Sequence, residues 1–174
     1  MIRIPRPAIA CLAVVALALP ALGSNGQSAV SEPGRWSLGV DLGTPTGISA
    51  KRYLGGANAF DLNLGFAYAP GLRFGADYLW GLAQLLPDRS ALSLDFYIGA
   101  GPFVGTLRGP CGGWQWGTAC NGDLYVGGRV PIGLEAVFKR VPVAIGLELA
   151  PGLAFSAGQT GFLLDTVLTL RVLL

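Results

Sequence analysis

The chain has 174 residues, of which 52% are hydrophobic and only 13% are charged, whereas an ordinary soluble domain carries about 25% charged residues. Together with the 27 glycines, this composition favours a single sheet domain whose large apolar surface does not face water. The formal net charge is +2, but Arg3 and Arg6 lie in the N-terminal leader, and without them ten bases balance ten acids, which argues against nucleic acid as a partner.

The N-terminus has the features of a secretory signal peptide. The basic segment MIRIPRP precedes an apolar core over residues 8–19, and small residues follow at Ala21 and Gly23. This order predicts a cleaved signal peptide over residues 1–23, whose core is too short to span a membrane as a permanent helix. Lipidation of Cys11 is disfavoured because that residue lies within the core. A polar spacer over residues 24–34 then precedes an exported domain over residues 35–174, in an oxidising compartment.

Beyond residue 35 the chain alternates apolar residues with small or charged ones. In WSLGVDL, residues 36–42, every second residue is apolar, a period typical of strands. Turn signals such as GTPTG, LLPDRS and SAGQTG separate the alternating segments. Counting between them predicts eight strands, near residues 35–42, 46–54, 58–67, 71–81, 91–103, 123–138, 141–155 and 162–173. Most reach the roughly 9–11 residues that cross a membrane when tilted.

The polar phase of these strands indicates which face is inside. A soluble lipocalin-like barrel would place apolar residues inside and crowd its exterior with Lys, Glu, Gln and Thr. Here the polar phase is mostly Gly, Ala and Ser with isolated charges, which suits a narrow interior, whereas the apolar phase suits lipid. The sequence therefore predicts an all-β fold, an eight-stranded antiparallel up-and-down transmembrane β-barrel.

The last strand shows the constraint directly, because Asp165 and Arg171 occupy positions of the same parity among leucines. An arginine on the lipid face near the membrane midplane would cost about 2–4 kcal/mol, so both charges are predicted to point into the lumen. The same phase contains Asp41, Lys51, Asp61, Arg73, Asp77, Asp95, Asp123, Arg129, Glu135, Glu148, Asp165 and Arg171. We expect these twelve residues to form a packing network of ion pairs; an ion or substrate path is the alternative.

The predicted network has eight acids against only four bases. Not every acid can therefore pair with a base. We expect at least one interior carboxyl group to be protonated or to hold water or a cation.

Four segments together resemble a known group of proteins: TGISAKRYLGGANAFDLNLGF, LRFGADYLW, LDFYIGAGPFVG and RVPIGLEAVFKRVPVAIGLELAPGLAF. They look like a largely uncharacterised family of small bacterial outer-membrane barrels, similar in form to OmpA/OmpX-type eight-stranded barrels. The resemblance implies the barrel fold and a bacterial outer-membrane location, with contact with outer-membrane lipid and with the barrel-insertion machinery. The family offers no agreed activity and no catalytic residues to carry over. One departure is that such barrels usually end on an aromatic residue, whereas this chain ends on Leu174.

An enzyme is the main competing class. The chain contains no histidine, which removes Ser-His-Asp chemistry, Cys-His pairs and histidine metal sites. Asp77 and Asp95, predicted on adjacent strands, could share a proton, but neutralisation by Arg73 or Arg129 is the favoured interpretation. We predict no catalytic, cofactor-binding or metal-binding residues and no cofactor; an outer-membrane lipid-modifying enzyme is the least favoured alternative.

The long connection over residues 104–122 is the only outer loop predicted to be large enough for recognition. Cys111 and Cys120 lie in it and are predicted to form a disulfide, since glycines between them allow the chain to fold back. Trp114 and Trp116 between them either contact a surface partner or anchor at the membrane interface. The sequence as a whole predicts a monomeric, non-enzymatic outer-membrane barrel with a structural or surface-interaction role and a charge-plugged lumen. The alternative is a narrow pore or carrier for small solutes.

Overall fold

The computed structural model describes residues 33–55, 58–67, 71–86, 91–107, 123–156 and 159–174. The predicted signal peptide, most of the spacer and the four loop residues Cys111, Trp114, Trp116 and Cys120 lie outside these ranges. Within them the protein is an antiparallel sheet of nine strands and no helix. Accordingly, no helix in the described part of the chain could span a membrane.

The nine strands follow one another with short separations along most of the chain. They are β1 (Trp36–Thr44), β2 (Thr46–Gly55), β3 (Asn58–Ala67), β4 (Gly71–Gln84), β5 (Leu92–Thr106), β6 (Leu124–Arg129), β7 (Ile132–Phe138), β8 (Val143–Ser156) and β9 (Gln159–Leu173). The predicted all-β class and most predicted strands are confirmed, with β4, β5 and β9 longer than expected.

The strand pairings close into a ring. Each strand from β1 to β5 pairs with the next, β8 pairs with β9, and β9 returns to β1. β6 and β7 together fill one position, because both pair with β5 on one side and with β8 on the other. Hydrogen bonds therefore run around a ring of eight strand positions, which leaves no open edge.

The predicted strand over residues 123–138 is two strands, because Pro131 has no N–H to donate to the ladder. Register does not change across the break: Arg129 pairs with Gly101 and Ile132 with Ile98. The gap is also bridged, since Val130 N–H donates to the Pro151 carbonyl at 2.9 Å. β6 and β7 thus act as one interrupted strand.

The ring is staggered. Successive pairings lead from Arg171 through Gly39, Ser49, Asn63, Gly75, Phe103, Gly127 and Ala154 to Gly161. The circuit returns to β9 ten residues from its start, from position 171 to position 161. Such a stagger requires tilted strands, typically by roughly 35–45°. Because ten is even and side chains alternate between the two faces, a circuit of pairings that starts at an inward-facing residue returns to an inward-facing residue of β9.

Side-chain burial alternates along the strands, most regularly in β9, where every second residue is buried. The ring is filled near both ends by apolar side chains. Where β1 begins, the near plug consists of Tyr53, Ala59, Leu79, Tyr97, Val137, Ala144 and Leu173. At the opposite end, the far plug consists of Phe103, Leu107, Tyr125, Ala154 and Leu163. The charged residues described below lie between the two plugs.

Glycines allow strands to approach closely, and one matched pair tests this packing. A Cβ added at Gly47 would lie 2.1 Å from the Leu64 carbonyl oxygen, whereas one added at Gly128 would meet nothing closer than 3.8 Å. We expect Gly47→Ala to lower the free energy of unfolding by about 1–3 kcal/mol and Gly128→Ala to change it by less than about 0.5 kcal/mol. Urea unfolding of the two refolded variants measures both. Equal midpoints would contradict the described β2–β3 packing.

Candidate functional site: the charged interior

Acidic and basic side chains that point into the ring form two clusters, to which every strand position except that of β5 contributes. The Arg171 cluster consists of Asp41, Lys51, Asp61, Glu135 and Arg171, and the Arg129 cluster consists of Arg73, Asp77, Arg129, Glu148 and Asp165. All ten residues are buried. They come together because alternate residues of each strand point inward.

The Arg171 cluster is held by one guanidinium. Arg171 Nη2 lies 2.8 Å from Asp61 Oδ2, and Arg171 Nη1 lies 3.3 Å from Glu135 Oε1. Glu135 also accepts a bond from Lys51 Nζ at 2.7 Å. Asp41 is more distant, with Oδ1 at 4.0 Å from Arg171 Nη2, and accepts a hydrogen bond from the Ser49 hydroxyl at 2.8 Å. Two bases therefore face three acids.

The Arg129 cluster has the same charge balance. Arg73 forms a two-pronged pair with Asp165, at 3.1 and 2.5 Å, a geometry that planar guanidinium groups favour. Arg129 pairs with Asp77 through Nε and Nη2. Its Nη1 lies 3.2 Å from Asp165 Oδ2 and 3.9 Å from Glu148 Oε1. Two bases again face three acids.

Aromatic residues of the plugs contact the outermost base of each cluster. Lys51 Nζ lies 5.1 Å from the centre of the Tyr53 ring and 4.9 Å from that of Tyr97. At the other end, the guanidinium of Arg73 lies 5.2 Å from the centre of the Phe103 ring. Such cation–π contacts strengthen when water is excluded. The interior is therefore a continuous stack of near plug, Arg171 cluster, Arg129 cluster and far plug.

Tyrosine hydroxyls tie the near plug to both clusters. Tyr53 donates a hydrogen bond to Glu135 Oε2 at 3.1 Å, and Tyr97 donates one to Glu148 Oε2 at 2.9 Å. A buried hydroxyl without a partner would be costly. Glu135 and Glu148 thus accept hydrogen bonds from the hydroxyl groups of two tyrosines whose aromatic rings fill the near end of the strand ring.

Between the two clusters lies a cavity of about 10 Å³, room for about one water-sized particle. It is lined by Asp41, Pro45, Asp61, Asn63, Arg129, Glu148, Val167, Thr169 and Arg171.

Ten of the twelve predicted interior residues take part in the two clusters. The other two, Asp95 and Asp123, are partly exposed and lie toward opposite ends of the ring. Asp95 accepts hydrogen bonds from Ser93 at 3.0 Å, and Asp123 precedes β6. The excess of acids is thus six against four within the clusters, rather than eight against four.

Several uncharged interior residues escaped the sequence analysis. Ser49, Tyr53, Asn63, Tyr97 and Thr169 are all buried, and four of them bond to the charged groups. The available signal was parity alone: each lies an even number of positions from a charged residue on its own strand. The sequence analysis selected interior residues by their charge, so these uncharged interior residues were not predicted.

Proton sharing between Asp77 and Asp95, the disfavoured alternative in the sequence analysis, is not supported by their positions. Asp95 pairs in register with Gln84, whereas Asp77 lies beside Gly101 and is bound by Arg129 and Asn63. In the described ranges no three residues among His, Cys, Asp and Glu converge to hold a metal ion. The arrangement pairs each of the four bases with buried carboxylates.

Comparisons with known proteins do not identify a family for this chain. A scan against family models, a search of curated proteins and a search of solved structures each return no match to this chain.

The clusters make a sharp prediction for stability. Arg129→Ala removes the cation that contacts three buried carboxylates, and breaking a buried ion pair on one side typically costs about 3–5 kcal/mol. Arg140→Ala is the matched control, because Arg140 is exposed between β7 and β8 and should change the free energy of unfolding by less than about 0.5 kcal/mol. Urea titration of the refolded proteins measures both. Coincident unfolding curves would show that Arg129 does not neutralise the interior.

Proposed function

We propose that the chain is an integral bacterial outer-membrane protein, a transmembrane β-barrel of eight strands with a packed interior. Its role is structural or one of surface interaction, without catalysis. The barrel contacts outer-membrane lipid through its outer face and functions as a monomer. The following observations support this proposal.

The observation that carries the proposal is the distribution of charge between the two faces of the ring. Within the nine strands, Arg52 is the one charged side chain that belongs to the outward phase. Large apolar side chains are exposed on that face, for instance Leu147 at 53% and Leu168 at 46%. Water-soluble proteins rarely expose apolar patches larger than a few hundred Å². An apolar exterior around an ionic interior suits lipid.

The position of Arg52 agrees with a membrane interface. Arg52 lies close to the near end of the ring, and its guanidinium lies 5.5 Å from the centre of the Trp36 ring. The rings of Tyr78 and Trp80 contact each other at a tilt of 59° on the same half of the outer face, with ring centres 5.1 Å apart. Aromatic rings and long basic side chains are typical of the headgroup level. The far half carries exposed Phe66, Phe155 and Phe162.

Strand length and surface shape also suit a bilayer. Apart from β6 and β7, which share one position, the strands have 9 to 15 residues. About 9–11 residues suffice to cross the hydrocarbon region. A depression of about 750 Å³ lies on the outer face and is lined by apolar and small residues such as Phe74, Pro102 and Phe155, without a charged side chain. Acyl chains can fill such a surface without leaving a polar group unsatisfied.

The outer membrane, rather than another bilayer, is proposed from the predicted signal peptide and from the resemblance to OmpA/OmpX-type barrels. Such a chain passes through the barrel-insertion machinery, which recognises the last strand. β9 keeps its outward apolar alternation to the final residue, Leu174, although that residue is not aromatic.

A substitution on the outer face tests the membrane assignment. Leu168 lies near the middle of β9 and points outward, so Leu168→Arg should lower the free energy of unfolding from lipid vesicles by about 2–4 kcal/mol. Thr160→Arg, outward on the same strand but at its end, should cost only about 0–1 kcal/mol. Urea unfolding from phosphatidylcholine vesicles measures both variants. In a water-soluble protein neither substitution would be harmful, and failure of the wild type to enter vesicles would also refute the proposal.

The packed interior predicts the absence of conduction. Eight strands enclose a space that side chains can fill, and here two apolar plugs flank two bonded charge clusters. We expect refolded protein in planar bilayers to show no stable conductance steps. Reproducible steps from purified protein would favour the alternative function, a narrow pore or carrier for small solutes.

A further inference from the structure

The near end of the ring carries basic side chains that do not belong to the interior clusters. Four described bases lie outside the clusters, and all four lie at the end where β1 begins. Arg35 directly precedes β1, Arg52 pairs in register with Trp36, and Lys139 and Arg140 follow β7. In the described ranges, no base outside the clusters lies on the far half of the ring. The described parts of the two ends therefore differ in charge.

Three of these bases line one pocket of about 360 Å³. Arg35, Lys139 and Arg140 form its basic side, and Phe138 and Val141 contribute to its apolar side. In the described part of the chain, no acidic residue belongs to this lining. A pocket of this composition suits a ligand that carries an anionic group next to an apolar one.

Backbone hydrogen bonds attach the segments of the pocket to the ring. The Lys139 amide donates to the Ala91 carbonyl at 3.1 Å, and the Arg35 carbonyl accepts from the Tyr53 amide at 2.9 Å. The Pro142 carbonyl accepts from the amide of the last residue of β9 at 2.9 Å. The bases are thus held on bonded backbone, so that little ordering is needed when a ligand binds.

The pocket lies at the end of the ring that has the features of a membrane interface. The cation–π pair of Arg52 and Trp36 lies on the outer face at this end, and such pairs suit the headgroup level. Phe138 belongs to the outward phase of β7, and Val141 is 50% exposed. The apolar side of the pocket therefore continues the outer face, and its basic side lies at the end of the ring.

We propose that this pocket binds the phosphate headgroup of an anionic phospholipid, of which phosphatidylglycerol is the simplest example. The guanidinium groups of Arg35 and Arg140 suit phosphate oxygens, which they can bind through two parallel hydrogen bonds. Among the described residues neither arginine takes part in an ion pair. The first carbons of the acyl chains would pack against Phe138 and Val141. A zwitterionic headgroup fits less well, because its cationic group would meet the same bases.

Binding is measured on purified protein refolded in octyl glucoside, a detergent without phosphate. Phosphatidylglycerol or phosphatidylcholine with identical acyl chains is added in increasing mole fraction, and mass spectrometry of the intact complexes counts the bound lipid. We expect one phosphatidylglycerol per protein, with half saturation at a mole fraction about tenfold below that of phosphatidylcholine. Equal binding of the two lipids would overturn the proposal.

Variants with the same change of charge distinguish the pocket from the surface as a whole. Arg140→Gln should raise the half-saturating mole fraction about fivefold, the effect of one base near an anionic lipid surface. Adding Arg35→Gln should raise it about twentyfold in total. Arg52→Gln is the matched control, because Arg52 lies at the same end but does not line the pocket, and it should leave binding unchanged. An equal loss in Arg52→Gln and Arg140→Gln would show diffuse attraction and refute the site.

Inorganic phosphate separates a lipid site from a site for a free anion. At a molar concentration equal to that of the lipid, it should not displace phosphatidylglycerol, because it has no acyl chain to pack against the apolar side of the pocket. Displacement under these conditions would identify a free-phosphate site and overturn the lipid assignment.

This inference rests on the proposed membrane location, because only at the edge of a bilayer does a phospholipid meet the pocket. The two proposals are nevertheless tested separately. Normal entry of the wild type into vesicles without selective phosphatidylglycerol binding would refute the pocket alone. Failure to enter vesicles would refute the membrane location and this inference with it.

Discussion

The constraint on which the whole structure depends is that ionised side chains inside a narrow ring must find partners there. The partners come from strands far apart in the sequence: Arg171 pairs with Asp61, Lys51 with Glu135 and Arg73 with Asp165. Leaving one such group unpaired costs several kcal/mol. Each pair therefore penalises any other register of the strands that bear it, and the clusters help to specify a single closed ring.

The apolar plugs and the ionic clusters depend on each other. Tyr53, Tyr97 and Phe103 exclude water from the two ends, which lowers the local dielectric and strengthens the attraction between opposite charges. In return, the carboxylates accept the tyrosine hydroxyl hydrogens, and Lys51 and Arg73 lie against the aromatic rings. A plug made of aliphatic residues alone would close the ends but would lack these bonds to the charges.

The proposed membrane location would constrain the register of the strands in a second way. Strand residues alternate between two environments, so a shift by one position would move a whole set of charges to the outer face. In lipid such a shift of β4, β6 or β9 would be prohibitive, because it would turn Arg73, Arg129 or Arg171 toward the acyl chains. An apolar exterior and an ionic interior thus fix strand register together.

The sequence by itself determined the strands and the face of each charged residue, because both follow from a period of two that local residues display. It did not determine which charges meet. Asp77, Asp95 and Asp123 share one phase, yet only Asp77 lies within a cluster, since depth along the ring depends on where each strand begins and on the ten-residue stagger. The break at Pro131 was hidden for a different reason, because apolar alternation continues through it from Val130 to Ile132. Partner choice across the ring is a property of closure, and closure requires all eight strand positions at once.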